Sequence, residues 1–521
     1  MAPQTKARVL VAGGGPVGML VAAELALRGT DVVLLEQRTT VSERPKATTL
    51  HARTVQCLAR RGYLPAGGTP HAGRPVDDGG ETGGPNAMPF HFAGIHGLTI
   101  TAPPTEPVPV LKTPQAELER LFESRARAAG ARVLRGHEVV GLERTPEGVR
   151  IDARGPRGDV VLHGRYAVGA DGARSTVRRL AGFEADTWPA TVTALMGQVR
   201  LADPEALAPG WQRTPRGWLV SKTMPDGTTH LRTLSGAGPL ADRGRPPSLE
   251  ELGREASRIA GREILMTEGR WFSSFSDFTR LVRAYRSGPV FLAGDAAHVH
   301  FPVGGQGLST GLLDALTLGW MLALAAAGDA GDDLLDGYDA ERRPAARRVI
   351  DNTRAQVALM RTDPALDPLR DLFTGMFAAG GGDDCFGAMI SAQDTVLPAR
   401  SRSAREGTFL RNTALDTADG PTDVIRLLRG GEPLLLLFGE AGERHAGPAR
   451  PYEDRLRVVR CAPVRDLADE ALLVRPDGYV GWAPDGGPLG EVLARYFGGG
   501  AGRTARADAP AARAGRGQPT G

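Results

Sequence analysis

The apolar residues at the start of the chain change period twice within thirty positions. Residues 8–12 form a short β-branched and aliphatic run and predict a buried strand, and the glycines of 13–18 then predict a turn. Residues 19–28 repeat their apolar side chains at helical spacing, Gly29 predicts the helix stop, and residues 32–36 predict a second strand. This opening is a β-α-β unit. Residues 113–129 read as a further amphipathic helix, and residues 133–168 as several short strands leading to Asp171. From about 185 to 285 the pattern alternates, as in 192–199 and 218–222, between loops rich in proline and glycine. That alternation predicts a mainly antiparallel sheet inserted between two parts of one domain. Residues 290–293 restore the buried-strand pattern, and 310–327 predict a long apolar helix. The glycine-rich 378–382 and the arginine-rich 398–405 mark a boundary before a C-terminal α/β module. The organisation expected is 1–184 and 286–397 as two parts of a nucleotide-binding domain, 185–285 as the inserted sheet, 398–497 as the C-terminal module and 498–521 as a tail without structure.

Composition sharpens this picture only in part. With 41% hydrophobic and 24% charged residues over 521 positions, the chain has the make-up of a soluble protein of two or three domains. Lysine and arginine number 63 against 60 acidic residues, so neither nucleic acid nor an acidic membrane is an expected partner. Cys57, Cys385 and Cys461 lie too far apart for a redox or metal pair, which points to a reducing cytoplasm and to no metal site. The apolar stretch 315–328 is bounded by aspartates and is too short to span a bilayer, so no membrane segment is expected.

Chemistry concentrates in three places. Gly13-x-Gly15-x-x-Gly18, with Pro16 and Val17 in its variable positions, follows a strand and opens a helix, where a dinucleotide fingerprint must sit. The first glycine permits the turn, the second admits a pyrophosphate to the backbone, and the third lets helix and strand pack. Glu36 ends the second strand, where its carboxylate can accept both hydroxyls of an adenosine ribose and would repel a 2′-phosphate; Gln37 and Arg38 follow it to the same cofactor. These features admit FAD or NAD. Two later segments favour FAD: Asp171 in Gly169-Ala-Asp-Gly, and Asp295 in Gly294-Asp-Ala-Ala-His298, each lie just past a strand end, and Asp295 is placed for a ribitol hydroxyl that a nicotinamide dinucleotide lacks. Pro302-Val-Gly-Gly-Gln-Gly307 then leads with little side-chain bulk into a helix from Leu308, so its backbone can lie against an isoalloxazine ring.

On these motifs the chain resembles the class A flavoprotein monooxygenases of the para-hydroxybenzoate hydroxylase fold, in their actinobacterial polyketide and phenol hydroxylase branch. Also similar is Arg44-Pro-Lys-Ala-Thr-Thr-Leu-His51-Ala-Arg53-Thr, where the family places arginines near the flavin. The resemblance implies FAD contacts from Arg53, Gln115, Gly305, Gln306, Gly307, Leu308 and Ser309, and reaction-centre roles for Arg44 and Pro302. It covers about residues 7–350 and extends weakly to residues 473–482, which resemble the end of the family's thioredoxin-like domain; lacking a cysteine pair, that module is expected to be structural. Two positions depart from the family: Ser309 and Thr317 stand where asparagines are usual.

The fold class implied is α/β, a Rossmann-type FAD-binding domain with an inserted antiparallel substrate sheet and a thioredoxin-like C-terminal module. The activity implied is insertion of one atom of O2 into an aromatic or polyketide-like small molecule, with NADPH or NADH as transient electron donor and a flavin C4a-hydroperoxide as oxygen carrier. Baeyer–Villiger insertion or epoxidation would use the same oxygen carrier. A flavin-binding reductase or a non-redox cyclase would keep the same cofactor motifs. His298 fits a buried core histidine as well as a site residue, and Trp218, His230 and Trp271 fit core filling as well as ligand contact. The pattern names no general base and defines no oligomeric state.

Overall fold

The computed structural model describes residues 4–44, 46–65, 86–236, 245–465 and 467–498. Most of the expected tail, from 499 on, lies outside the described residues, as does Pro45.

The first strand, Gln4–Ala12, lies between Val32–Glu36 and Gly158–Gly169, parallel to both. Parallel neighbours extend the sheet to Arg132–Arg135 on one side and Val290–Leu292 on the other. Val9, Leu10 and Val11 are fully buried, the run of apolar residues that a central parallel strand needs when both its faces are covered. Toward its N-terminal half Gly158–Gly169 also pairs with the antiparallel strand Gly148–Gly155, which in turn pairs with Glu138–Thr145. The first helix is Pro16–Ala26 and begins earlier than the apolar spacing predicts. Pro16 occupies the first helical position, where a missing N–H costs nothing.

Against this helix packs Gly307–Ala327, of 21 residues. It is long and apolar enough to cross a membrane, but 89% of its apolar window is buried inside the protein. Two glycines set the close approach: a Cβ at Gly311 would fall 2.8 Å from a Val17 methyl, and one at Gly319 would fall 2.5 Å from the Glu24 Cβ. The charged helix Asp332–Leu359, which the apolar pattern did not delimit, follows it.

The inserted sheet is antiparallel, in the order Gly210–Thr214, Gly217–Thr223, Thr229–Ser235, Thr193–Leu201, Met266–Ser276. The helix Leu249–Ala260, opened by a Ser248–Glu251 capping box, covers one face with Leu252, Ala256 and Ile259 on Leu195, Leu219 and Leu231. A three-stranded ribbon of Ala185–Trp188, Thr279–Val282 and His298–Val299 joins this sheet to the parallel one. The C-terminal module is a six-stranded mixed sheet with Leu434–Phe438 at its centre and the helix Leu489–Phe497 packed on it. Cys57 and Cys461 are buried and Cys385 is exposed; burial raises the Cys57 thiol to about 12.

Buried charge ties this module to the rest. Arg475 grips Glu341 through two hydrogen bonds of 2.7 Å and also donates to Asp477, whose carboxylate accepts from the Trp320 indole at 3.2 Å. Glu24 accepts from Arg28, Arg61 and Tyr63, and Arg61 reaches on to the carbonyl of Leu428. Burial opposes the Glu24 charge, but Arg61 and Arg28 outweigh it and bring the carboxyl from 4.5 down to about 2. Because the folded value lies below the unfolded one, this contribution is fully present above the unfolded value and is lost as pH falls through the folded one, at a magnitude of about 3 kcal/mol. Glu24→Gln is therefore expected to lower the denaturation midpoint at pH 7. Its deficit relative to wild type should shrink steadily between pH 4.5 and 2, which parallel thermal melts across that range measure.

Candidate active site

The turn after the first strand is built for a ligand on one side only. Gly13 has φ +104°, and a Cβ there would lie 2.4 Å from the Ala170 carbonyl oxygen; one on Gly18 would lie 1.9 Å from the carbonyl oxygen of Gly13. Both glycines are required by the protein itself. A Cβ on Gly15 would meet nothing within 4 Å, so the second glycine faces open space at the N-terminus of Pro16–Ala26, where backbone N–H groups and the helix dipole favour an anion. Val17, expected to touch cofactor, packs its side chain against Gly294 and Gly311 and joins three elements. Glu36 accepts from the backbone N–H of Gly14 at 2.6 Å and of Arg38 at 2.8 Å, so it braces the turn while standing half-exposed at its mouth; Gln37 and Arg38 are exposed beside it.

The other aspartates complete the groove. One oxygen of Asp171 caps the helix Thr176–Leu180 through the N–H groups of Thr176 and Val177, and the other is buried without a protein partner. Asp295 follows Gly294, whose φ is +60°. Solvent reaches Asp295, yet the surrounding protein crowds it enough that desolvation raises its carboxyl, against the opposing pull of His298, Lys46 and Arg280. Crowding likewise lowers the Lys46 ammonium; Arg38 adds to that, while Glu119, Asp295 and Glu36 oppose it. Lys46 thus stands within electrostatic reach of both Glu36 and Asp295. Lys46 lies in the segment Arg44-Pro-Lys-Ala, in which the sequence pattern points to the arginines alone. Arg44 is exposed on the same loop, and Gln115 starts the helix Gln115–Ala128 with its N–H on the Ala47 carbonyl.

Beneath Asp295 lies a buried network. Asp314 accepts from the Gly294 N–H at 3.1 Å, from His298 Nε2 at 2.8 Å and from Arg342 Nε at 2.9 Å. Burial opposes its charge, and His298 with Arg342 more than offsets that and lowers its carboxyl. His298 is a hydrogen-bonded core residue, one of the two readings its sequence position allowed.

The loop from Pro302 turns through two successive left-handed glycines, Gly304 at φ +75° and Gly305 at φ +66°, before Gly307–Ala327 begins. Pro302 is exposed, while Gly307 and Leu308 are half-buried. Gln306 is buried; its carbonyl accepts from Asn352, and its amide nitrogen has no protein partner. His51 holds the loop in place: its Nε2 donates to the Gly304 carbonyl at 2.7 Å, and its backbone N–H donates to Ser309 Oγ at 3.1 Å. The Ser309 hydroxyl therefore accepts from the protein, and Thr317 is buried within the same helix. Arg53, expected at the flavin, is engaged by the protein itself. Its guanidinium donates to Gln56 and to the carbonyls of Ala392 and Gln393, and stacks over Phe409 at 3.6 Å, in the packing against the C-terminal region.

Aromatic residues line the way from this loop to the inserted sheet. Phe90, on a strand of the hairpin Ala87–Phe92 and Ile95–Thr101, meets the edge of His51 and stacks on His91, which packs against Trp211; Phe275 packs on Phe301. Burial lowers His51 and His300 to about 4 and His91 to about 3, so all three imidazoles are neutral at pH 7. Trp218 is core, with its indole on the Met360 carbonyl, while Trp271 donates to Gln198 and meets the edge of His230.

These residues fit FAD. Gly15 is open, Asp171 Oδ1 and Gln306 Nε2 are buried without protein partners, and Asp295 is accessible. The family described as "FAD binding domain" matches residues 6–353, and "Aromatic-ring hydroxylase, C-terminal" matches residues 403–500. The chain is 33% identical over 509 residues to the 12-dehydrotetracycline 5-monooxygenase/anhydrotetracycline 6-monooxygenase of Streptomyces rimosus, covering 94% of this chain and 98% of the relative. It is 35% identical over 500 residues to the dialkyldecalin synthase of Streptomyces rugosporus, with the same coverage. Among solved structures, the anhydrotetracycline hydroxylase OxyS from Streptomyces rimosus superposes with a TM-score of 0.84 at 32% identity, covering 95% of this chain and 99% of that one. The chain belongs to the class A FAD-dependent aromatic-ring and polyketide monooxygenases. It is an FAD-dependent monooxygenase.

The glycines separate fold from cofactor. Gly15→Ala is expected to leave the thermal midpoint of the FAD-free protein unchanged while weakening FAD at least about tenfold, since its Cβ enters only ligand space; Gly18→Ala should lower that midpoint itself. Melting curves and flavin titration of the two apoproteins read both effects.

Proposed function

We propose that this monooxygenase hydroxylates a planar, fused-ring aromatic or polyketide-like small molecule in the cytoplasm, with the substrate held between the Pro302–Gly307 loop and the face of the inserted sheet opposite the helix Leu249–Ala260. The observation that carries this reading is the run of rings Phe90, His91, Trp211, Phe275 and Phe301, which leads from the flavin loop onto that face.

Bound FAD would supply the redox chemistry, accepting hydride from the nicotinamide donor and activating O2. In this reading Gly15 and the first helix hold the pyrophosphate, with Lys46 and exposed Arg44 supplying positive charge; Glu36 takes the adenosine ribose; Asp171 and Asp295 take further hydroxyls. Gln115 and Arg38 close the groove from outside. The backbone of Gly305–Ser309, at the N-terminus of a 21-residue helix, supplies N–H groups and a positive dipole end against the ring edge that gains negative charge. Pro302 presents a rigid apolar surface beside the reacting ring. Neutral His51, with Nε2 donating to Gly304, keeps Nδ1 as a buried acceptor without a protein partner. The aromatic wall excludes water and leaves the proton balance to the substrate's own hydroxyl.

A second reading rests on Ser309. Its hydroxyl is engaged by His51, and the related dialkyldecalin synthase is named for a reaction other than oxygenation. Anaerobic stopped-flow mixing with NADPH and NADH, with and without anthraquinone-type polyphenols, followed by oxygenated buffer, separates the two. Ligand-accelerated flavin bleaching and an oxygenated product are expected. A flavin that neither donor bleaches, with or without these ligands, would favour a non-redox role.

A further inference from the structure

Three buried side-chain amides run head to tail from the tip of a hairpin to the flavin loop. The hairpin of Ala87–Phe92 and Ile95–Thr101 turns on Ala93 and Gly94, both left-handed, at φ +53° and +74°. Ala93 is fully buried, so its N–H must find an acceptor inside the protein; it donates to Gln356 Oε1 at 2.9 Å. Gln356 Nε2 donates to Asn352 Oδ1 at 3.1 Å, one turn back on the helix Asp332–Leu359. Asn352 Nδ2 in turn donates to Gln306 Oε1 at 3.2 Å. Gln306, Asn352 and Gln356 are 2%, 6% and 0% exposed, so water does not compete for these bonds.

The direction of this chain is set at one end. A backbone N–H can only donate, so Gln356 must turn its oxygen to Ala93 and its NH2 group to Asn352. Asn352 faces Gln356 with its oxygen, so its NH2 group faces Gln306 and takes up the oxygen there. Gln306 therefore ends the chain with an NH2 group that is buried and without a protein partner. That group lies beside the flavin loop: a Cβ on Gly304 would fall 3.1 Å from Gln306 Nε2, on the glycine whose carbonyl holds His51. The main chain of Gln306 is fixed separately, its carbonyl accepting from the N–H and the hydroxyl of Thr310, so the amide chain governs the far end of the side chain. A donor left over at the end of an otherwise satisfied buried network points to an acceptor on a ligand.

On the reading that FAD lies against the Pro302–Gly307 loop, we propose that Gln356 and Asn352 are positioning residues for the flavin: they hold the Gln306 amide with its N–H groups turned toward the ring edge that gains negative charge on reduction. The amide then acts in the same sense as the N-terminus of Gly307–Ala327 and stabilises reduced flavin over oxidised flavin. An amide free to turn over would present its oxygen as readily as its nitrogen, and an oxygen at that edge opposes the same charge. The chain also ties the hairpin that carries Phe90 and His91 of the ring wall to the electron affinity of the cofactor.

The test measures the reduction potential of FAD bound to the full-length protein, by anaerobic titration against a reference dye, in wild type, Gln306→Met, Gln356→Met and the double variant. Methionine keeps the length of the glutamine side chain and removes its hydrogen-bonding amide. Gln306→Met is expected to weaken the preference for reduced over oxidised flavin about tenfold, which lowers a two-electron potential by about 30 mV. Gln356→Met should lower the potential by a smaller factor, and the double variant should match Gln306→Met alone, because Gln356 acts only through Gln306. Melting curves of the FAD-free proteins run beside the titrations: a purely structural Gln356 would move the melt and not the potential. Asn352→Leu, one link nearer the loop, completes the same cycle if Gln356→Met does not fold. A potential unchanged in Gln356→Met, or lower in the double variant than in Gln306→Met, would overturn the positioning role and leave the reading of the loop standing. A potential and visible spectrum unchanged in Gln306→Met would overturn the placing of its amide at the ring and the positioning role with it. A wild-type protein that takes up no FAD would sink the reading of the loop itself.

Discussion

Everything at the site hangs on one buried carboxylate. Asp314 sits one-third of the way along the core helix and binds the turn that presents Asp295, the histidine of the linking ribbon and an arginine of the following helix. An unpaired charge at such a depth would be costly, so each partner is compelled to hold its place. The Gly294 turn is thereby fixed relative to the helix that follows the Gly304–Gly305 loop. Val17, between Gly294 and Gly311, fixes the same turn against the first helix. The two ends of an extended cofactor are thus referred to a single rigid frame.

Much of this frame was legible in the sequence, and the reason is locality. Each fingerprint glycine answers to a constraint within a few residues or across one strand pair, so its spacing carries its meaning. The antiparallel insert announced itself by alternation. What stayed hidden depends on segments far apart in the chain. Lys46 matters because residues 36 and 295 both reach it, and His51 because it closes on Gly304 more than 250 residues later. Arg53 shows the converse: its motif pointed toward the cofactor, but in space Phe409 and the carbonyls of Ala392 and Gln393 surround it, and no local pattern encodes them. The helix Asp332–Leu359 escaped delimitation because its buried stripe carries Arg342, Asn352 and Gln356, polar residues satisfied by partners elsewhere.

The serine at 309 illustrates how a departure from family pattern is absorbed. A short hydroxyl fits against the backbone entering the helix Ala52–Arg60, accepts the N–H of His51 and lets that histidine's ring settle on the glycine loop. A longer amide could not fill the same space in the same way. Loop and histidine therefore form one unit, and the polar work at this point belongs to backbone geometry and an imidazole.

Glu36 carries a consequence for evolution. Because its carboxylate bonds both to the Gly14 amide inside the turn and to the Arg38 amide after the strand, it is a structural brace as well as the contact proposed for a ribose. Exchanging it for a basic residue, the simple route by which nucleotide-binding folds shift toward phosphorylated ribose, would remove the support of the loop that must hold the new ligand. The resident dinucleotide is in this sense locked in by architecture, and variation among such proteins is free to accumulate elsewhere, on the inserted sheet.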